Sequence, residues 1–288
     1  MRSQNTALAA LAVAVAAVAP STASADIAYG VTLEQTLIRF DTSSPTVIQM
    51  GAAITGLAQN EVIRGIDFRP ATGQLYALGS QSNLYIINVA TGAATQVGGP
   101  LSTVLNGSSF GFDFNPTVDR IRVTSDANQN LRLNPITGAI AAVDGSLQFA
   151  AADVNAGQDP NGVHAAYTNS FAGATATTLY IIDTGLDILA TQSPPNNGTL
   201  NTVGGLGVDV QDMGGFDIGQ NNVAFAAIRP VGSARTFLYT INLATGAATQ
   251  VDEIGGGAIL TAFAVIPTPG SATLIGLSTL AMLRRTRR

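Results

Sequence analysis

The chain has no cysteine, no tryptophan and only one histidine. Lysine is also absent, so all 13 basic residues are arginines. The lack of cysteine excludes disulfides, a thiolate nucleophile and cysteine-bound metals. The lack of lysine excludes a P-loop lysine and a Schiff base. A single histidine, His164, excludes a multi-histidine metal site, and no G-x-S-x-G elbow is present for a serine–histidine–aspartate triad. We predict that His164 is a partly buried structural residue of a strand.

Charge is scarce too: charged residues make up 11% of the chain, against roughly 25% in an ordinary globular protein. Residues 26–266 hold all 18 acidic residues but only eight of the arginines, which gives this body a net charge of −10. Such a body has no electrostatic attraction for nucleic acid or anionic lipid. We therefore expect no nucleic-acid partner, whereas a cation would be a more natural ligand.

The first 25 residues have the order of a secretory signal. Arg2 precedes an apolar run over residues 7–19, and Ala23-Ser24-Ala25 has the small residues of a cleavage site. We predict that residues 1–25 are removed during export and that the mature chain begins at Asp26.

The other end of the chain is also patterned. A break at 267–270 is followed by a 13-residue apolar stretch, 271–283, and by four arginines. The stretch is short for a free-standing span of roughly 20 residues, and the arginines would stay on the cytoplasmic side. Residues 267–288 resemble the PEP-CTERM sorting signals of exported bacterial proteins, with Pro267-Thr268-Pro269 in place of Pro-Glu-Pro. The resemblance implies transient or permanent inner-membrane attachment, a sorting protease as partner, and release or attachment at the cell surface. A plain tail anchor is the alternative.

The body between these ends is a repeat. Similar seven-residue phrases share a leucine at 37, 84, 131, 179 and 238, with spacings of 47, 47, 48 and 59 residues. The phrase beginning at Ser82 is followed by Ala90-Thr-Gly-Ala-Ala-Thr-Gln-Val97, which recurs at 244–251, and Gly65-Ile-Asp-Phe68 precedes it. Each unit thus contains four short strands in about 47 residues, which is typical of a propeller blade.

The first and last units complete each other. Residues 27–50 supply only three strands, and the missing inner strand is found at 261–265. We therefore predict an all-β fold, a five-bladed β-propeller of four-stranded blades. It is closed by pairing of the C-terminal strand with the N-terminal blade. The 59-residue spacing contains an insertion, 193–213, so six blades are the alternative if it holds extra strands. A β-sandwich is the competing fold.

Several phrases of the body resemble a known family. They are Gly-[Ile/Phe]-Asp-Phe-x-Pro at 65–70 and 111–116, Asp119-Arg-Ile-Arg-Val-Thr-Ser125, Gln129-Asn-Leu-Arg-Leu-Asn-Pro135, Ala166-Tyr-Thr-Asn-Ser170 and Pro194-Pro-Asn-Asn-Gly-Thr-Leu-Asn-Thr-Val-Gly204. They are similar to the DUF4394 family of exported bacterial proteins. The resemblance covers nearly all of residues 26–266 and implies a propeller-like fold, and it brings no activity with it.

One aspartate recurs in the predicted inner strands, at Asp67, Asp113, Asp153 and Asp217, and the fifth blade has Ala264 there. We favour a structural role, in which each carboxylate accepts backbone N–H bonds within its blade or from the next one. No cofactor is therefore predicted. The alternative is a ring of carboxylates that binds a hard cation such as Ca²⁺.

A second oxygen-rich stretch contains Asp126, Asn128 and Asn130. It is similar to the start of a calcium loop, but Leu131 and Thr137 replace the glycine and glutamate that such a loop needs. We interpret it as a hairpin turn.

These features favour an exported, non-catalytic module of the cell surface or extracellular matrix. Its partner would be an extracellular polysaccharide or a surface protein, bound by loops at one face that include residues 193–213. Membrane contact would be limited to the C-terminal segment. The alternative is a glycoside-acting enzyme that uses the inner-strand carboxylates. The absence of tryptophan for sugar stacking and an aromatic content of only 6% count against it.

Overall fold

The structure, a computed structural model, describes residues 26–267. The predicted signal segment, 1–25, and the apolar stretch and arginines of the sorting segment lie outside the described residues. These residues form twenty-one strands, arranged in five sheets, and one 3-10 turn. Within residues 26–267, no helix is long and apolar enough to cross a membrane.

Each sheet is one blade, and its strands follow one another from the axis outwards. Blade 1 consists, in this order, of β21 (Leu260–Val265), β1 (Ile27–Thr32), β2 (Thr36–Asp41) and β3 (Ser44–Ala53). Blade 2 consists of β4 (Ile63–Phe68), β5 (Leu75–Gly79), β6 (Leu84–Ile87) and β7 (Ala94–Gln96). Blade 3 consists of β8 (Phe110–Asn115), β9 (Arg120–Ser125), β10 (Asn130–Leu133) and β11 (Ile140–Val143).

The last two blades follow the same plan. Blade 4 consists of β13 (Gly162–Tyr167), β14 (Leu179–Asp183), β15 (Ile188–Gln192) and β16 (Thr199–Gly205), and the short β12 (Gln148–Phe149) is added parallel to β16. Blade 5 consists of β17 (Val210–Ile218), β18 (Ala224–Pro230), β19 (Phe237–Ile241) and β20 (Ala248–Glu253). The 3-10 turn is Pro195–Asn197.

The blades close into a ring. Their inner strands contact one another in the order β21, β4, β8, β13, β17 and back to β21. Strand β21 pairs with β1, with Ala264 opposite Tyr29, so the C-terminal strand completes the N-terminal blade. The prediction of a five-bladed propeller closed in this way is confirmed. The insertion adds no sixth blade, because its residues 199–205 form the fourth strand of blade 4.

The repeated Thr-Gly pairs have a conformational cause. Gly92, Gly138 and Gly246 lie between the third and fourth strands of blades 2, 3 and 5, with φ of +75°, +70° and +83°. Glycine adopts a positive φ without the steric cost that a side chain would add. These turns return the chain to form the outer strand of each blade.

The apolar core lies mostly between neighbouring blades. One buried cluster joins Tyr29 and Val31 of blade 1 to Ile66 of blade 2, and equivalent clusters join blades 2 and 3, 4 and 5, and 5 and 1. Burial of these faces is the main favourable term in folding. It also fixes the inner strands at equal heights around the axis.

The assignment of Asp153 to an inner strand was wrong. The inner strand of blade 4 is β13, and its residue equivalent to the aspartates is Ala166. Asp153 lies in the loop between β12 and β13, where it accepts hydrogen bonds from N and Oγ1 of Thr202 at 2.6 and 2.7 Å. The polar, proline- and glycine-containing residues after it offer no apolar face to bury, whereas β13 is buried throughout.

The insertion divides into two parts with different positions. Its first part docks on blade 3, where Asn196 Oδ1 accepts a hydrogen bond from Arg122 and the Pro195 carbonyl accepts one from Asn130, at 2.9 and 3.1 Å. Its last residues, 211–213, reach the propeller axis at the start of β17. Only this last part lies where the blades meet around the axis.

Candidate functional site

Three of the recurring aspartates converge on the axis. Asp67, Asp113 and Asp217 occupy equivalent positions on β4, β8 and β17 and are 2–3% exposed. One carboxylate oxygen of each lies within 4.8 Å of the others. The sequence repeat brings them together because it places one carboxyl at the same depth in three blades.

Each of the three carboxylates accepts a hydrogen bond from the inner strand of the next blade. Asp67 accepts the N–H of Phe114 in blade 3 at 2.7 Å, and Asp113 accepts that of Tyr167 in blade 4 at 2.9 Å. Asp217 accepts the N–H of Val265 in blade 1 at 2.6 Å. A carboxylate therefore holds three of the five junctions of the ring.

Blades 1 and 4 have alanine at this position, so they offer no carboxylate to the N–H group of the next blade. In blades 2 and 5 that N–H group is bound instead by the blade's own aspartate. The second oxygen of Asp67 accepts the N–H of Phe68, and that of Asp217 accepts the N–H of Ile218, both at 2.6 Å. All five inner-strand N–H groups at this level are thus satisfied by three carboxylates. Buried backbone donors require such partners.

Burial and neighbouring carboxylates raise the pKa of all three carboxyls; for Asp217 the neighbour is Asp26. Burial is the larger cause for each and raises the pKa of Asp217 to about 6. The charge of Asp217 raises the pKa of Asp67 further, and the charges of both neighbours raise that of Asp113. The three carboxyls therefore titrate as a coupled group. They keep at least one proton at a pH where an isolated aspartate would already be ionised.

The free energy of unfolding should follow this titration. A folded carboxyl with a raised pKa keeps a proton that the unfolded chain, with a pKa near 3.9, has released. The stabilisation is complete below about pH 4 and is lost as pH rises through the folded pKa. It amounts to about 1.4 kcal/mol per unit of pKa shift. An Asp113→Asn variant keeps the acceptor oxygen for Tyr167 but lacks the titrating proton. Its stability relative to the wild type is therefore expected to increase from pH 5 to pH 8.

Denaturant unfolding of both proteins at pH 5, 6.5 and 8 measures this difference. His164 acts in the opposite direction, because its pKa is lowered to about 4 and protonation of the unfolded chain below pH 6.5 favours unfolding. That contribution is common to both proteins and cancels. A stability difference that does not change with pH would contradict the expectation.

The carboxyl cluster has the all-oxygen chemistry that Ca²⁺ prefers, but it has few free ligand atoms. Ca²⁺ takes six to eight oxygen ligands. Five of the six carboxylate oxygens of Asp67, Asp113 and Asp217 already accept a backbone N–H. The hydrogen bonds thus support the structural role for these residues.

The second oxygen-rich stretch is the turn between β9 and β10, and its side chains diverge. Asp126 accepts hydrogen bonds from N and Oγ of Ser108, at 2.9 and 2.5 Å. Asn128 donates to Asp159 at 2.7 Å, and Asn130 accepts from Arg122 at 2.6 Å. The structure does not bring the three together around one point.

A different site, which sequence reasoning missed, lies at one end of the axis. Four of the five inner strands carry a β-bulge there, at Arg64 of β4, Val163 of β13, residues 211–213 of β17 and Thr261 of β21. Bulges re-aim side chains and are frequent beside functional sites. Two of these bulges, at Arg64 and at residues 211–213, border an open depression of about 510 Å³, which we call the axial mouth. Its lining residues are Arg64, Ser108, Ser109, Gln211, Asp212, Met213 and Arg229.

His164 lies beneath the axial mouth. It occupies the position of Gly65, Gly111 and Gly215, where the next blade approaches so closely that a Cβ on Gly65 or Gly215 would lie 2.5 or 2.7 Å from the next blade's Cβ. Gly214, in the bulged start of β17, lies beside the imidazole, and a Cβ there would be 3.8 Å from His164 Cε1, an ordinary van der Waals distance. His164 is 6% exposed and lines a small cavity of about 20 Å³, enough for about one water.

Burial keeps this imidazole neutral. It lowers the pKa of His164 to about 4, against the smaller opposing effect of the Asp212 charge. Within residues 26–267, His164 forms no hydrogen bond with a serine or with Asp212. The mouth therefore holds serine, histidine and aspartate side chains without a triad connecting them.

The acidic and hydroxyl groups of the mouth are held by their neighbours. Asp212 accepts hydrogen bonds on Oδ1 from Thr184 Oγ1 at 2.6 Å and from Asn161 Nδ2 at 3.0 Å. Its other oxygen accepts no hydrogen bond from the residues that the structure describes. Ser108 is fixed by its two hydrogen bonds to Asp126, and the serine loop needs Gly107, whose φ is +122°.

The two arginines of the mouth differ in the hydrogen bonds that hold their side chains in place. Arg229 donates from Nε to the Ser233 carbonyl at 3.0 Å, and its Nη1 lies 3.7 Å from the sulfur of Met213. The Arg64 guanidinium forms neither an ion pair nor a hydrogen bond with any residue that the structure describes. Neither guanidinium has a carboxylate within 4.0 Å in that part of the chain.

The fold and this site define a five-bladed propeller with a polar mouth over a packed axis. The chain belongs to the family described as domain of unknown function DUF4394, whose model matches residues 36–264. No curated protein matches the chain.

Solved structures with a similar fold include three proteins. Hydrazine synthase of Kuenenia stuttgartiensis is 12% identical with a TM-score of 0.42, over 73% of this chain and 53% of that one. Dihydro-heme d1 dehydrogenase NirN is 10% identical with a TM-score of 0.39, over 80% and 43%. A gluconolactonase of Xanthomonas campestris is 15% identical with a TM-score of 0.45, over 81% and 78%. The chain thus spans about half the length of the first two.

Proposed function

We propose that the protein is an exported, non-catalytic binding module of the cell surface or extracellular matrix, and that its ligand seats on the axial mouth. The observation that carries the proposal is the set of bulges at one end of the inner strands. Two of them place Arg64 and Asp212 beside a depression of about 510 Å³, which Ser108, Ser109 and Arg229 also line. Elsewhere along the axis, at the level of the aspartates, the side chains are buried.

The distribution of carboxylates supports a role without catalysis. Glycoside hydrolysis needs two carboxyl groups about 5–10 Å apart on either side of the scissile bond. The axial cluster is buried and bonded to backbone N–H groups. Among the acidic residues of the described chain, only Asp212 lines the mouth. One accessible carboxylate is insufficient for that mechanism.

Export and sorting are part of the proposal and rest on the two terminal sequence patterns. The pattern at 1–25 would direct export. The pattern at 267–288 would hold the chain at the inner membrane until a sorting protease acts on it. The acidic body would then be displayed at the surface or released into the matrix.

The proposal is tested by offering the full-length chain to immobilised extracellular polysaccharides and surface polymers while chromogenic glycosides are assayed in parallel. We expect saturable binding to at least one polymer and no turnover. A matched variant, Asp212→Asn, should bind with altered affinity and show the same absence of turnover. Hydrolysis of a glycoside by the wild type that is lost in Asp212→Asn, without binding to any polymer, would overturn the proposal.

A further inference from the structure

The axial mouth is positive in an otherwise acidic body. Four of the eight arginines in residues 26–266 form ion pairs with carboxylates, namely Arg69, Arg122, Arg132 and Arg235. Two of the remaining four, Arg64 and Arg229, line the same depression. In a body with a net charge of −10, two guanidiniums at one site with no carboxylate within 4.0 Å in the described chain indicate an external anion.

The guanidinium group also indicates which anion. Its planar set of donors matches the two oxygens of a carboxylate or phosphate, and such bidentate bonds are stronger than neutral ones. Arg229 is held by Ser233, so part of the geometry is formed before a ligand arrives. Arg64 is without a partner among the described residues and can turn towards a ligand.

Asp212 restricts the ligand further. Its free oxygen is a hydrogen-bond acceptor in the same depression, held in place by Thr184 and Asn161. A negative acceptor beside the arginines disfavours a ligand with several charges on each sugar, such as a sulfated glycan, but binds a hydroxyl donor. The serine hydroxyls at 108 and 109 add groups that suit a polyhydroxylated ligand.

We propose that the axial mouth binds a uronate-containing polysaccharide, with the carboxylate of one sugar between Arg64 and Arg229 and a sugar hydroxyl on Asp212. This inference rests on the proposed function and names its ligand class. His164, neutral beneath the mouth, would not compete for the carboxylate as a third cation.

The test is binding of the full-length chain to three soluble polymers: polygalacturonate, dextran sulfate and neutral dextran. We expect polygalacturonate to bind, and Arg64→Ala and Arg229→Ala each to weaken this binding at least tenfold. Arg64→Lys should restore only part of the affinity, because lysine lacks the planar fork. The control is Arg120→Ala, which removes an arginine that lines no part of the mouth. It should change nothing.

The outcomes separate this inference from the proposed function. Equal binding of neutral dextran that is insensitive to both arginines would overturn the uronate assignment and leave a binding module. Binding of dextran sulfate but not polygalacturonate would overturn it in favour of a sulfated ligand. Failure to bind any of these or any other surface polymer would overturn both. The melting temperature of Arg64→Ala should equal that of the wild type, since the Arg64 side chain makes no hydrogen bond in the described chain, so loss of binding would not reflect unfolding.

Discussion

An Asp217→Ala variant is expected to unfold on the order of 10 °C below the wild type. The substitution leaves the buried N–H groups of Val265 and Ile218 without acceptors. Two stranded donors cost about 2–6 kcal/mol together, and relief of repulsion from Asp67 offsets only part of this. For a body of this size, 1 kcal/mol corresponds to about 2–4 °C. Thermal unfolding followed by circular dichroism measures the effect.

Asp113 provides the matched controls. Asp113→Ala strands only the N–H of Tyr167, so about 1–3 kcal/mol should be lost. Asp113→Asn keeps the acceptor oxygen and should be the mildest of the three variants. All losses should be the same with calcium and with a chelator. If Asp113→Ala were more stable than the wild type in chelator, the carboxylates would be repelling one another around an empty cation site, and the structural role would be refuted.

Arg122→Ala is expected to cost about 3–5 kcal/mol. The guanidinium is 2% exposed and donates to Asn130 Oδ1 at 2.6 Å, Asp144 Oδ2 at 2.7 Å and Asn196 Oδ1 at 2.9 Å. Asp144 keeps its ion pair with Arg132 at 2.7 Å, but Asn130 and Asn196 lose a charged donor. A hydrogen bond to a charged group contributes about 1.5–3 kcal/mol, so the loss of these two bonds accounts for the cost. The 3-10 turn Pro195–Asn197 would lose its bond to blade 3. Equilibrium unfolding in denaturant gives the free energy.

The control is an arginine in an exposed pair. Arg235 contacts Glu253 at 2.6 Å, but its side chain is 59% exposed. Exposed ion pairs contribute about 0–1 kcal/mol, so Arg235→Ala should be nearly neutral. If Arg122→Ala and Arg235→Ala lowered the free energy of unfolding by similar amounts, the docking of residues 195–197 on blade 3 would not depend on Arg122. Hydrogen exchange of residues 195–198 should also be faster in Arg122→Ala only.

The blades could be predicted from sequence because each repeats the same positions. The shared leucines and the Thr-Gly turns indicate period, strand number and closure without knowledge of any contact. The repeat gave the wrong position for Asp153, because a phrase similar to those of the inner strands lies in a loop. There the deciding quantity was burial: β13 offers an apolar run and the phrase around Asp153 does not. Chemical similarity of a phrase is weaker evidence than its spacing.

The axial mouth could not be predicted in the same way. Arg64, Asp212 and Arg229 each occur in one blade only, so a search for recurrence passes over them. The bulges that carry Arg64 and Asp212 depend on the pairing register, which cannot be deduced from the sequence. One signal was available: His164 stands where three other blades have glycine. A blade-specific departure from the repeat is the pattern that marks this site.

The central claim about the axis is that its carboxylates hold the blades together and need no cation. The most direct measurement is the melting temperature of the wild-type chain at neutral pH, in excess calcium and in excess chelator. Our account predicts the same temperature in both. A ligand that binds only the folded state at 100 times its Kd adds about 2.7 kcal/mol, which would raise the temperature by several degrees. A calcium-dependent rise of that size, absent in Asp113→Ala, would contradict it.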